Sequence, residues 1–119
     1  MSGHRILQDS YKANHQIPDP GPGGNLLIDR DLAIFYIGSA SAEARNLPDP
    51  FEPGMIATIV AGALAGTVTI TAASSINTTG NTHIALSATR QMAQLVSVPV
   101  TTGSGYAWAV TGYDGATLS

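Results

Sequence analysis

The stretch Thr67-Val68-Thr69-Ile70-Thr71 alternates strictly between a hydroxyl-bearing and an aliphatic side chain. Successive side chains of a strand point to opposite faces. Val68 and Ile70 therefore share one face and the threonines the other, which is the mark of a half-buried strand. Downstream the pattern repeats in short pieces. Asn77-Thr78-Thr79-Gly80-Asn81 has turn composition. His83-Ile84-Ala85-Leu86 resumes the alternation with Ile84 and Leu86 inward. Met92 to Val98 is another β-rich run, and Pro99 ends it or marks an edge, because proline has no N–H to give a ladder.

After the glycine-bearing loop Thr101 to Gly105, the bulkier residues Tyr106, Trp108 and Val110 alternate with Ala107, Ala109 and Thr111. The bulkier set is expected inward, with Trp108 the largest core member. Asp114-Gly115 has the composition of a two-residue hairpin turn. It is expected to return the chain for a last strand, Ala116 to Ser119. Several short strands at this spacing predict an all-β fold, a small antiparallel β-sandwich or barrel. The predicted core comprises Val68, Ile70, Ile84, Leu86, Trp108 and Val110.

Upstream, Met55 to Ala73 runs 19 residues without a charge. That length permits a membrane span. Its threonines and glycines, and the alternation in its second half, point instead to two strands joined by a turn, so no membrane partner is expected. Met1 to Tyr11 lacks an apolar h-region and does not read as a signal peptide.

Charge divides the chain. Of thirteen charged residues, eleven fall at or before Glu52, leaving only Arg90 and Asp114 beyond it. Six of the seven prolines lie at or before Pro53. Residues 1–54 accordingly read as an extended Pro/Gly-rich N-terminal arm with one short strand, and 55–119 as the β-rich body. Two arm segments, Ile17 to Gly24 and Leu47 to Gly54, exclude helix, because proline fixes φ and holds the preceding residue extended. They read as surface linkers, or more sharply as straps lying in grooves on a neighbour. Leu32 to Ile37 is the arm's strand, and Ser39 to Asn46 is either a short helix or an extended piece. The outer faces of the body carry threonine, serine and alanine where soluble domains place charge. Edge strands without charge are open to pairing, so protein neighbours are expected to cover them.

Net charge is −3, with no basic cluster and no cysteine. Nucleic acid is therefore not an expected partner, and thiolate chemistry and disulfides are excluded. The three histidines, His4, His15 and His83, have no metal-ligand spacing, so no metal or other cofactor is expected. Ser104 lies in Thr102-Gly103-Ser104-Gly105, which lacks the spacing of a nucleophile elbow. Beyond Glu52 the sole acid is Asp114, so paired-carboxylate catalysis has no second partner in the body. The chain reads as a non-enzyme. Tyr106, Trp108 and Tyr113 suit either a core or a sugar-stacking platform, with the core preferred.

Four segments together resemble the head decoration, or cement, proteins of tailed bacteriophages. They are Ala44-Arg45-Asn46-Leu47-Pro48-Asp49-Pro50, the strand Gly66 to Ala72, the turn Ile76 to Thr82, and the ending from Trp108 to Ser119. The resemblance implies a β-rich body, often a homotrimer, on the capsid exterior, with its arm laid over neighbouring subunits of the major capsid protein. An extended strap adds to a sheet edge through main-chain hydrogen bonds, and linked weak contacts give avidity. On this reading Ile6, Leu7, Tyr11, Ile17, Leu26, Leu27, Leu47 and Phe51 are the partner contacts. A head-fibre or tail-adhesin component, or a carbohydrate-binding β-sandwich module, is the alternative.

Overall fold

The computed structural model describes residues 15–100 and 105–119. Among the described residues nine strands follow in order: β1 (Gln16–Ile17), β2 (Ala33–Ser39), β3 (Glu43–Leu47), β4 (Ile56–Leu64), β5 (Val68–Ala72), β6 (His83–Leu86), β7 (Met92–Pro99), β8 (Tyr106–Asp114) and β9 (Thr117–Leu118). They form a five-stranded sheet, β1-β2-β4-β7-β8, and a four-stranded sheet, β3-β5-β6-β9. The described residues are all-β, as the alternation predicts.

The sheets are mixed, and the expected purely antiparallel pairing is corrected. The pairs β1/β2, β2/β4 and β3/β5 are parallel; β4/β7, β5/β6, β6/β9 and β7/β8 are antiparallel. The cause lies in the turns. Residues 40–42 carry the chain from β2 in one sheet to β3 in the other, and residues 65–67 do the same from β4 to β5. Two successive arches thus stack, Ile34 beside Thr58 and Arg45 beside Ile70. A third, incomplete arch begins the series: β1 pairs with β2, and Asn25 bridges Asn46 in parallel. Where the arches meet, Gly66 is obligatory. A Cβ there would lie 2.5 Å from the Ala42 nitrogen and the Ser41 carbonyl carbon, with no flexible side chain to give way.

The core lies between the sheets. From one side come Ala33, Phe35 and Ile37 of β2, Ala57, Ile59 and Ala61 of β4, and Ala93 and Leu95 of β7. From the other come Val68 and Ile70 of β5 and Ile84 and Leu86 of β6. Each buried Val, Leu, Ile or Phe side chain contributes about 1.5–3 kcal/mol relative to exposure, and each alanine less. Trp108 of β8 is 2 % exposed, and its indole N–H donates to the Pro48 carbonyl at 2.8 Å. Val110 packs against this core while partly exposed.

The division into arm 1–54 and body 55–119 is corrected for the described residues 15–54, which belong to the body; residues 1–14 lie outside the described residues. The strand expected in the arm, β2, lies between β1 and β4 inside the five-stranded sheet, and β3 belongs to the four-stranded sheet. Ser39 to Asn46 is therefore a turn followed by a strand. Pairing of β3 with β5 supplies backbone partners that a single helical turn, costly to nucleate, does not. Both proline segments are corners of this chain's own body. In the first, the Gly23 N–H donates to the Ala44 carbonyl at 2.8 Å and the Asn46 N–H to the Gly24 carbonyl at 2.9 Å. In the second, the Pro48 carbonyl accepts from Trp108, and the Ser97 hydroxyl donates to the Glu52 carbonyl. Proline removes a donor but keeps its carbonyl, so such a segment still binds its neighbours as an acceptor.

The ending departs from expectation in one further respect. Asp114-Gly115 does not close a hairpin. Gly115 has φ +73°, a backbone that glycine adopts at no steric cost. From there the chain crosses to the other sheet, where β9 pairs with β6.

Candidate functional site

The sandwich presents two outer faces of opposite chemistry. On the five-stranded sheet, register sets Ile34, Thr58, Gln94 and Gly112 in one row and Tyr36, Val60 and Met92 in the next. Ile56, Val96 and Ala109 make a third row. These side chains are half-buried or exposed, Tyr36 reaching 50 %. The polar side chains on this face bond to one another. Gln94 Nε2 donates to Thr58 Oγ1 at 3.3 Å, and Thr111 Oγ1 donates to the Gln94 carbonyl at 3.1 Å. Beside Ile34 a shallow depression of about 240 Å³ is lined by His15, Leu32, Ile34, Ile56, Thr58 and Gln94.

Leu32, at the rim of this face, is 37 % exposed with φ +55°. Left-handed backbone is costly for a branched, non-glycine residue. Asp31 holds it there: one carboxylate oxygen accepts the N–H groups of Leu32 at 2.8 Å and of Ile56 at 2.9 Å.

The outer face of the four-stranded sheet carries Ala44, Thr69, Ala85 and Thr117 in one row and Asn46, Thr71 and His83 in the next. Hydroxyl, amide and imidazole groups dominate it. His83 Nδ1 lies 3.0 Å from the Thr82 hydroxyl.

Behind β3 sits a buried ion cluster that sequence reasoning missed. Arg45 is 1 % exposed. Its Nε donates to Asp19 Oδ1 at 2.7 Å, and Nη2 reaches Asp19 Oδ2 at 3.0 Å, Glu43 Oε1 at 3.0 Å and the Gly38 carbonyl at 2.9 Å. Nη1 donates to the Ala44 carbonyl at 2.9 Å. A buried guanidinium needs this density of acceptors, because desolvation is costly unless each N–H is paired. Burial alone raises the Asp19 carboxyl. The Arg45 hydrogen bonds, the Gly21 and Gly38 N–H groups and the Arg45 charge outweigh it and hold Asp19 below its ordinary value. Glu43 is likewise lowered, chiefly by the Ala40 N–H, against burial, with help from Arg45. The legible signal was the alternation Glu43, Arg45, Leu47, which puts Arg45 on the same face as a core leucine.

Of the expected partner contacts, Ile17, Leu26 and Leu47 are at most 2 % exposed in this chain's own core, which corrects their assignment. Hydrophobicity marked them properly; the inference that a neighbour buries them fails because the corners fold inward. Leu27 at 54 % and Phe51 at 52 % are exposed. Ile6, Leu7 and Tyr11 lie outside the described residues, as does most of the loop 101–105. The expected core residues Val68, Ile70, Ile84, Leu86 and Trp108 are buried. With Trp108 buried and Tyr113 55 % exposed, Tyr106, Trp108 and Tyr113 do not share one exposed platform.

Among the described residues no group of three or more His, Asp or Glu side chains is placed to hold a metal ion, and no helix is long and apolar enough to cross a membrane. The uncharged run Met55 to Ala73 forms β4 and β5. No protein-family model matches this chain, and no curated protein matches it.

Proposed function

We propose that this chain is a non-catalytic structural protein of a virion, a decoration protein on a bacteriophage head. It binds across adjacent subunits of the major capsid protein from the capsid exterior, as a homo-oligomer with the trimer as the implied form. The observation that carries the reading is the outer face of the five-stranded sheet. It is broad, apolar and free of charged side chains at its register positions. Contiguous apolar surface of this kind marks a protein-interaction site. The segments that carry the family resemblance support it in a different way. Ala44 to Pro50, Gly66 to Ala72 and the chain ending supply β3, β5, β9 and the crossing between sheets. They build the scaffold rather than a chemical site, as a structural role requires.

The partner contacts are now best sought among exposed groups, Leu27 and Phe51, and among residues 1–14. A receptor-reading adhesin would present Trp108 outward, and the buried indole gives that alternative no support. The test is co-sedimentation of the purified protein with emptied phage heads, followed by electron microscopy of the particles. Density at regular positions on the head shell is the expected result. Density confined to a tail or fibre, or no binding at any concentration, overturns the reading.

A further inference from the structure

We infer that the outer face of the five-stranded sheet is covered by a second copy of this chain, so that this face is the self-association surface. The inference deepens the reading above, which calls for a homo-oligomer, by naming the surface that makes one. Three observations select the occupant.

The first is charge. Outward positions such as Ile34, Tyr36, Val60, Met92, Val96 and Ala109 bear no carboxylate, ammonium, guanidinium or imidazole, and the one acid in β2, β4, β7 and β8, Asp114, sits at the very end of the edge strand β8. Such a face has no sign with which to select a charged partner. Its complement is another uncharged sheet face, and in a homo-oligomer every copy brings one.

The second is hydrogen bonding. Burying a surface is costly where it strands donors and acceptors. Here Gln94, Thr58 and Thr111 already bond among themselves. The face loses little when water leaves it.

The third is size and shape. Four strands about 4.8 Å apart give a face about 19 Å wide, and seven residues along the strands give about 23 Å. Each copy thus offers roughly 450 Å² before side-chain relief, and two copies together approach the roughly 1,000 Å² at which specific interfaces begin. Sheets stack about 10 Å apart. Three faces about 19 Å wide around a three-fold axis put each sheet about 5.5 Å from that axis, close to half that spacing. Two copies across a two-fold axis satisfy the same spacing. Leu32 extends the face at its rim, where its left-handed backbone yields no burial within the chain. Strain held at an exposed apolar residue is the pattern of a contact site.

The experiment is sedimentation equilibrium of the full chain, without any shell. Wild type is expected at two or three times 12.2 kDa. Val60→Glu and Val96→Glu, each placing a carboxylate in the face, are expected to fall to the single-chain mass. Thr69→Glu, on the opposite outer face, is expected to keep the oligomer. Emission from the buried Trp108 reports whether each variant is folded. Should the glutamate variants unfold, Tyr36→Cys replaces them, because the chain has no cysteine of its own. A short bis-maleimide is then expected to link Tyr36→Cys chains and to leave Thr71→Cys chains single. A monomeric wild type, a folded Val60→Glu that keeps its mass, or equal cross-linking of the two cysteine variants overturns the inference. Head binding by a monomer sinks this inference and the homo-oligomer with it, and leaves head decoration itself standing. Self-association through this face with no affinity for heads does the reverse.

Discussion

The two outer faces of the sandwich are built on one core and have opposite surfaces. One carries Ile34, Tyr36, Val60, Met92 and Val96; the other carries Asn46, Thr69, Thr71 and His83. Both arise from the same alternation, in which every second residue of a strand points outward. The inward sets are nearly interchangeable, Ile59 and Leu95 behind one face, Ile70 and Ile84 behind the other. Fold stability and surface function are therefore written in separate registers of the same strands. A hydroxyl and amide face stays wetted. An aliphatic face of the same area gains from cover, at about 25 cal/mol per Å² of apolar surface removed from water.

The comparison predicts a graded set of effects. The largest belongs to what both faces share. Arg45→Ala removes the cation behind β3 and leaves Asp19 and Glu43 without their partner, and breaking a buried pair of this kind costs about 3 kcal/mol, the low end of the usual range because Asp19 keeps part of its surface in water. Urea unfolding is expected to shift as a single transition. Two separate transitions would mean that the faces belong to independent units. Gly66→Ala acts on the same shared scaffold. Its methyl group forces the stacked arches apart, for about 1–3 kcal/mol, and the same denaturation curve reads it.

Acid comes next. Asp19 and Glu43 are both held below their ordinary values of 3.8 and 4.5 in the folded chain. In the window just below those values the unfolded chain binds more protons than the folded one, so stability rises with pH there. Their contribution is complete above about pH 5 and is lost as pH falls through the depressed folded values. An Arg45→Met chain, with the guanidinium gone, is expected to show a flatter stability profile below about pH 4.5. An unchanged profile would show that the cluster is not the acid-sensitive element.

The smallest effects separate the faces themselves. Leu32→Gly relieves the left-handed backbone and, after the entropy glycine adds to the unfolded chain, is expected to change single-chain stability by about 1 kcal/mol or less. The same substitution is expected to weaken self-association. Thr71→Val on the opposite face is expected to stay within about 0.5 kcal/mol in stability and to leave association unchanged. Equal responses in the two assays would remove the functional distinction between the faces.

Much of this was legible from residue order. Val68 and Ile70, Ile84 and Leu86, and Trp108 were assignable to the interior because a strand's period of two is a local property. Turn composition at 77–81 likewise located a real turn, where the Asn77 and Asn81 side chains bond across at 2.7 Å. Other features carried the right chemistry and the wrong address. Ile17, Leu26 and Leu47 are plainly apolar, but whether they are buried by this chain or by another depends on where the proline corners lead. Arg45 is a single arginine in a charged segment. Alternation with Leu47 hints that it points inward, but nothing local names its partner, since Asp19 lies 26 residues away.

Residue order by itself determined the all-β class, the positions of most strands and which side chain of each pair points inward, because steric alternation and turn chemistry act over a few residues. Tertiary structure alone decided which strands pair, in which direction, and where the proline segments lie. A Gly/Ser turn that closes a hairpin and one that crosses between sheets have the same composition. Only the pairing of distant backbone, and the burial that follows from it, tells them apart.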